Sequence, residues 1–596
     1  MKKRFFWLIL SCILALSMIL ASCGTKTTET TTSMTTTTTT PKTTTSTTAL
    51  TTSATTAPTQ AVLTPQYGGT FNYRTNRDIV YFDPYFGDVT PGGTLYAKLW
   101  IEALCVPDLK IDHNIWDFKT GYTPVEYWTG RVAENWEQPD AQTIIFHIRK
   151  GVQWQNRPPV NGRELTAYDF EYGYHRQLGL GSGFTKASPY IAASNYGLIK
   201  SVTATDKYTL VFKLSQPSLD QIRMIIDDNP YVAIVPRESV QQYGDLSDWR
   251  HAIGTGPFMI EDYTSGSSLS AVRNPNYWDY DTLFPNNRLP YFDKVKILII
   301  PDNATAEAAL RSGKIDMIED IDWQQAASIA KTNPELLKAD RPTWGFAITL
   351  MVDKKPFDDI RVRKAMQMAI DLPTIATTYF GGSMVSTPMG KVGLKGYYTP
   401  FSEWPQEVKD GYIYNPSGAK KLLSEAGYPG GFKTSMTVRS TDDMGLIQIL
   451  KSYLLDVGID VEIKPLDPAA FTAYTQAGLH EMCTGLGTIP TNPPINCLNN
   501  FYSKHISYKS DHIKDQIYDG LVEKAMVSLD LNEFKQLIIQ ADMRAVTQQW
   551  AVTLPSKTIY TVYQPWLKGF NGEANVIGRL SPKLWIDPSV KKAMAR

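Results

Sequence analysis

The sequence predicts a mixed α/β protein with two sheet-containing lobes. Two observations carry this. The stretches "VKILIIPDNATAEAALRSGKIDMIED" (295–320) and "FKTSMTVRSTDDMGLIQILKSYLLDVGIDVEIKPLD" (432–467) each read as strand, helix, strand, and they lie far apart in the chain. Once the N-terminal segment is set aside, about 530 residues remain, more than one hydrophobic core holds and suited to two or three.

Taken in order, residues 1–22 read as an export signal: Lys2, Lys3 and Arg4, then an apolar run from Phe5 to Leu20 that is short for a bilayer span. The tetrapeptide Leu20-Ala21-Ser22-Cys23 resembles the bacterial lipobox, which implies that Cys23 becomes the lipidated first residue. Residues 23–64 are more than half Thr, with Ser, Pro and Ala making up much of the rest. Such a segment buries too little apolar surface to offset its ordering entropy, so it is expected to be a disordered stalk spanning roughly 35 Å. Its composition is also similar to O-glycosylated stalks.

Further on, "KYTLVFKL" puts Tyr208, Leu210, Phe212 and Leu214 on one face of a strand. Thr166, three residues before Asp169, reads as a capping-box helix entry. In the first strand–helix–strand unit Asn303 is a candidate N-cap and Gly313 a helix stop; in the second, Gly458 ends the helix.

The formal net charge is zero, which gives no reason to expect a nucleic-acid or anionic-membrane surface. Beyond Cys23 only Cys105, Cys483 and Cys497 remain, so disulfides do not build the fold. There is no GxSxG, HExxH or P-loop pattern, and the His480–Cys483 pair lacks a complete metal-ligand set. The acidic pairs Asp358/Asp359, Asp442/Asp443 and Glu319/Asp320 read as helix caps or solvated charges rather than a hydrolase dyad. No enzyme, metal or cofactor is expected.

From Tyr67 to the C-terminus the chain resembles the family-5 extracellular solute-binding proteins, the peptide-binding branch of ABC importer receptors. The resemblance rests on pieces in the family's order: "YGGTFNYRTNRDIVYFDP" with its Phe82-Asp83-Pro84 turn, "AENWEQPDAQTIIFHIRKGVQWQNRPPVNGRELTAYDFEYGYHR", "GTGPFMIEDY", "RNPNYW", "ALRSGKIDMI", "KPFDDIRVRKAMQMAID" and "AKKLLSEAGY". It implies a class II binding-protein fold, two lobes on a double-strand hinge. Lobe I would take 65–97, 254–341 and 556–596, an inserted domain 98–253, and lobe II 342–555. It further implies a monomeric, outward-facing, lipid-anchored receptor that closes on a solute and docks on a membrane permease.

Relatives hold a peptide's α-ammonium with an aspartate in a lobe-II loop, which aligns here with "CTGLGTIPTNPPINCLNNFYS" (483–503) and puts Pro490 at that position. Asp88, with Thr90 beside it, is the candidate replacement, its alternative being a turn-forming surface acid. The loop supplies Thr484, Gly487, Thr488, Asn492 and Asn496, neutral groups suited to amides or sugar hydroxyls, so an oligopeptide is expected first and an oligosaccharide second. Trp344 and Phe346 are candidate stacking faces or core. Cys483 and Cys497 bracket the loop and are a candidate disulfide, with two buried thiols as the alternative.

Overall fold

The computed structural model describes residues 64–79, 81–85, 94–188, 197–219, 222, 225, 234–505 and 512–594. A ten-stranded sheet organises the protein. Its order is Ile459–Leu466, Phe432–Arg439, Met482–Leu486, Leu337–Leu350, Ala551–Tyr563, Met317–Ile321, Thr70–Thr75, Lys294–Ile299, Ser268–Arg273 and Phe258–Thr264. The two strand–helix–strand units fall in opposite halves. Strands Lys294–Ile299 and Met317–Ile321 flank Thr70–Thr75 in parallel, while Phe432–Arg439 pairs directly and in parallel with Ile459–Leu466.

The lobes share this sheet because two long strands run through both halves. Leu337–Pro342 pairs with Thr558–Tyr563 on the lobe I side, and Gly345–Thr349 with Ala551–Ser556 on the lobe II side, with register shifts between Pro342 and Ala347. Pro342 has no N–H to continue the ladder. At Gly345 a Cβ would stand 2.5 Å from the Leu554 carbonyl and 2.9 Å from the Thr488 amide nitrogen, so only glycine fits. The ladder therefore bends here, between lobes with separate cores: Phe71, Phe292 and Val295 among those in lobe I, Met366, Leu450 and Met482 among those in lobe II.

The inserted domain leaves lobe I at Trp100 and returns beside it, where the Gly256 amide donates to the Trp100 carbonyl at 2.9 Å. It carries a four-stranded antiparallel sheet, Ala133–Asp140, Thr143–Ile148, Thr209–Leu214 and Ile199–Ala204, covered by the helix Ala167–Leu178. Leu210, Phe212 and Leu214 are buried, as their alternation requires. The Thr166 amide donates to the Asp169 carboxylate (2.9 Å), which also takes two N–H bonds from Arg163. A buried ion pair docks the domain on lobe I: Arg176 donates twice to Asp83, at 3.1 and 2.6 Å, in the Phe82-Asp83-Pro84 turn.

Three details depart from the sequence reading. Val235, Val240, Leu246 and Ala252 pack into the lobe I core rather than the inserted domain. Trp116, Phe118 and Tyr122 pack into lobe II. The helix Asn303–Arg311 is capped by Asp302, whose carboxylate accepts from the Thr305 amide at 2.7 Å, so Asn303 is its first residue.

Candidate functional site: the cleft between the lobes

On lobe I, a cavity of about 180 Å³ opens at the carboxyl ends of Thr70–Thr75 and Met317–Ile321, where open α/β sheets gather ligands. Tyr73, Asn76, Tyr96, Glu319, Asp320 and the hinge residue Arg341 face it, with 575–578 closing one side. Glu319 accepts a hydrogen bond from the Tyr73 hydroxyl. Burial, with the Asp320 carboxylate adding to it, pushes the Glu319 carboxyl up to about 7 against the pull of Arg341. Asp320 is exposed, pairs with Arg341, and holds φ at +61°, a left-handed conformation that is uncommon outside glycine. The Arg341 Nε is buried and has no hydrogen-bond partner.

On lobe II, the strand Met482–Leu486 runs into a loop that ends in the short helix Pro494–Leu498. Thr484 and Thr488 are buried and their hydroxyls point inward, to the Asp442 carboxylate (2.5 Å) and the Gly390 carbonyl (2.9 Å). Gly487 is a close approach: its amide donates to the Gly345 carbonyl, and a Cβ would meet the Phe346 carbonyl at 2.5 Å. Pro490 is buried against Gly393; Asn492 and Asn496 are half-buried. Trp344 is half exposed and its indole N–H donates to the Thr491 hydroxyl at 2.5 Å, whereas Phe346 packs on the lobe II core. The loop is held from behind by Asp542, which is 1% exposed and accepts from the Lys391 and Val392 amides at 2.8 and 3.2 Å. Burial pushes the Asp542 carboxyl up to about 7. Ile489 in turn donates to the Lys391 carbonyl.

The family model for bacterial extracellular solute-binding proteins, family 5 (middle region), matches residues 128–509. The chain belongs to this family. Among relatives of this solute-binding protein, the periplasmic oligopeptide-binding protein OppA of Salmonella typhimurium is 24% identical over 467 residues, covering 74% of this chain and 81% of the relative. Heme-binding protein A of Haemophilus influenzae is 30% identical over 345 residues, 55% of this chain and 59% of that one. The solved structure of the periplasmic binding protein DppA from Helicobacter pylori, in complex with the peptide STSA, superposes with a TM-score of 0.65 at 22% identity, over 87% of this chain and 98% of that one. These likenesses and the shared sheet give the two-lobe fold with its inserted domain.

In this family-5 solute-binding protein the loop is not closed by a disulfide. Cys483 and Cys497 are separate buried thiols: the first lies 2.9 Å from the Thr349 hydroxyl, and the second donates to the Ile489 carbonyl at 3.2 Å. Cys483 belongs to the strand Met482–Leu486 and Cys497 to the helix Pro494–Leu498, where it joins the lobe II core, so each side chain is engaged elsewhere. Asp88, Thr90 and Cys23 lie outside the described residues. Sequence reasoning had Glu319 and Asp320 in view but as solvated acids, and it missed Arg341 and Asp542. The signal available for Arg341 was its place beside Pro342; Asp542, inside the helix Leu531–Gln548, had none.

Proposed function

We propose that this protein is the outward-facing, lipid-anchored receptor of an ABC importer, that it captures an oligopeptide between its lobes and that it hands the peptide to a membrane permease. The observation that carries this is the cavity at the lobe I strand ends, closed by a residue of the hinge itself, so that a solute there touches the element that must bend. Glu319 and Asp320 supply the anionic partner for an α-ammonium that Pro490 cannot. The oligosaccharide alternative draws on the neutral loop groups Thr484, Thr488, Asn492 and Asn496; the hydroxyls of Thr484 and Thr488 are engaged inside lobe II, which leaves it only the half-buried Asn492 and Asn496.

Lobe I comprises 65–97, 254–341 and 556–596, lobe II 342–555, and the insert lies in 98–253, with Val235, Val240, Leu246 and Ala252 of that stretch packed into lobe I and Trp116, Phe118 and Tyr122 into lobe II; the receptor works as a monomer. Cys23 carries the lipid and residues 24–64 form the leash. Among the described residues no helix is long and apolar enough to cross a membrane. The test has two arms. Mass spectrometry of solute that copurifies with the protein should find peptides, and recovering only non-peptide solutes would refute peptide capture. Palmitate labelling should be lost in Cys23→Ala, and equal labelling of wild type would refute the anchor.

A further inference from the structure

The segment between Asp112 and Tyr127 leaves the start of the inserted domain and crosses the cleft. On the lobe I side, its Phe118 carbonyl accepts from the Ala574 amide at 2.8 Å and its Gly121 carbonyl from Arg579 at 3.3 Å. His113 stands 3.9 Å from Glu573. On the lobe II side, Trp116, Phe118 and Tyr122 are 7%, 1% and 5% exposed and share a core cluster with Val392, Leu394, Ile489 and Ile495. Tyr122 stacks edge-on against Tyr397 with ring centroids 6.1 Å apart. A Cβ on Gly121 would lie 3.4 Å from the Thr491 carbonyl, so the backbone itself rests on the loop 487–496. Lys119 pairs with Asp340 of the hinge strand at 3.4 Å, and Lys535 reaches Glu126 at 2.8 Å.

We infer that residues 112–127 are a strap that fills the cleft along the lobe II loop and limits the ligand to a short peptide held in the hinge-side cavity. The inference rests on the peptide-receptor reading above. The hinge-side cavity is about 180 Å³, below the roughly 300–1,000 Å³ of ordinary ligand pockets, and one of its sides is the segment 575–578, whose neighbours Ala574 and Arg579 hold the strap. A long peptide would have to displace three buried aromatic side chains, Trp116, Phe118 and Tyr122, from the lobe II core. A dipeptide would not. The strap also ties the lobes together, so it biases the hinge toward the closed arrangement before any solute arrives.

The experiment uses the full chain in three forms: wild type, the double variant Trp116→Ala with Tyr122→Ala, and Lys119→Glu. The last opposes Asp340 from the surface without opening a core. Calorimetric titration with dialanine and with a nine-residue alanine-rich peptide should show wild type preferring the short peptide by about 100-fold or more, and both variants narrowing the preference to about tenfold or less. Equal affinity of wild type for both lengths, or an unchanged preference in both variants, would overturn the strap. If wild type bound neither peptide, the peptide reading would fall, and small-angle scattering of the ligand-free proteins would decide the strap. A larger radius of gyration in both variants supports it, and no change refutes it.

Discussion

Across the cleft, lobe I presents Glu319, Asp320 and the hinge residue Arg341 around an open cavity, whereas lobe II presents a loop whose buried threonine hydroxyls donate inward. Charged groups of the cavity sit on the wall nearest the hinge. Across from it the loop 487–496 carries no charged side chain; it is buttressed by Asp542 and packed against Trp116, Phe118 and Tyr122. In the proposed receptor the difference separates two tasks of a binding cleft: one wall would read chemistry and the other would set shape.

The largest effect is expected behind the shaping wall. Asp542→Ala removes the acceptor of two buried amides and should destabilise the protein by about 2–5 kcal/mol in urea unfolding; a loss under about 0.5 kcal/mol would show that the loop does not depend on it. Asp542→Asn keeps an acceptor oxygen and should cost less. It should also change the pH profile. The folded-state carboxyl titrates near 7, above its ordinary 3.8, so its proton stabilises the native protein at acid pH, and that contribution is lost as pH rises through about 7. Wild type should therefore lose more stability between pH 5 and pH 8 than Asp542→Asn; parallel profiles would contradict this.

A smaller effect, about tenfold in affinity, is expected on the reading wall. Glu319 faces Tyr73, Tyr96, Asp320 and Arg341, and its carboxylate forms as pH rises through about 7. Affinity for a peptide with an unblocked amino terminus should rise over that interval in wild type and stay flat in Glu319→Gln. An N-acetylated peptide should bind both alike. A pH-independent wild type would place the α-ammonium elsewhere. The smallest effect belongs to Thr488→Val, which removes a buried donor to the Gly390 carbonyl and should cost about 1 kcal/mol of stability without changing affinity. Weakened peptide binding at unchanged stability would mean that lobe II reads the ligand too.

The paired acids show what the sequence could and could not disclose. Asp359 and Asp443 are helix caps, as adjacent acids usually are, accepting from the Arg361 and Leu446 amides. Glu319 has the same local appearance, yet it lies in the middle of the strand Met317–Ile321 and faces the cavity. Strand periodicity and glycine stops are local and were legible, which is why Leu210, Phe212, Gly313 and Gly458 stand where their patterns put them. Residue type in the 483–503 loop was legible as well. The direction in which Thr484 and Thr488 donate was not, because it depends on Asp442 and Gly390, which are distant in sequence. The same holds for Cys483 and Cys497, whose separation along the chain says nothing of the partner each meets, Thr349 for one and Ile489 for the other.

Closure can be read directly by spin labels on Ser312→Cys in lobe I and Lys420→Cys in lobe II, both exposed, while the native thiols Cys105, Cys483 and Cys497 are buried. A saturating short peptide should shift the interlobe distance distribution to shorter values as the strands Leu337–Leu350 and Ala551–Tyr563 bend. The same distribution with and without peptide, in a sample shown by calorimetry to be saturated, would contradict capture by closure.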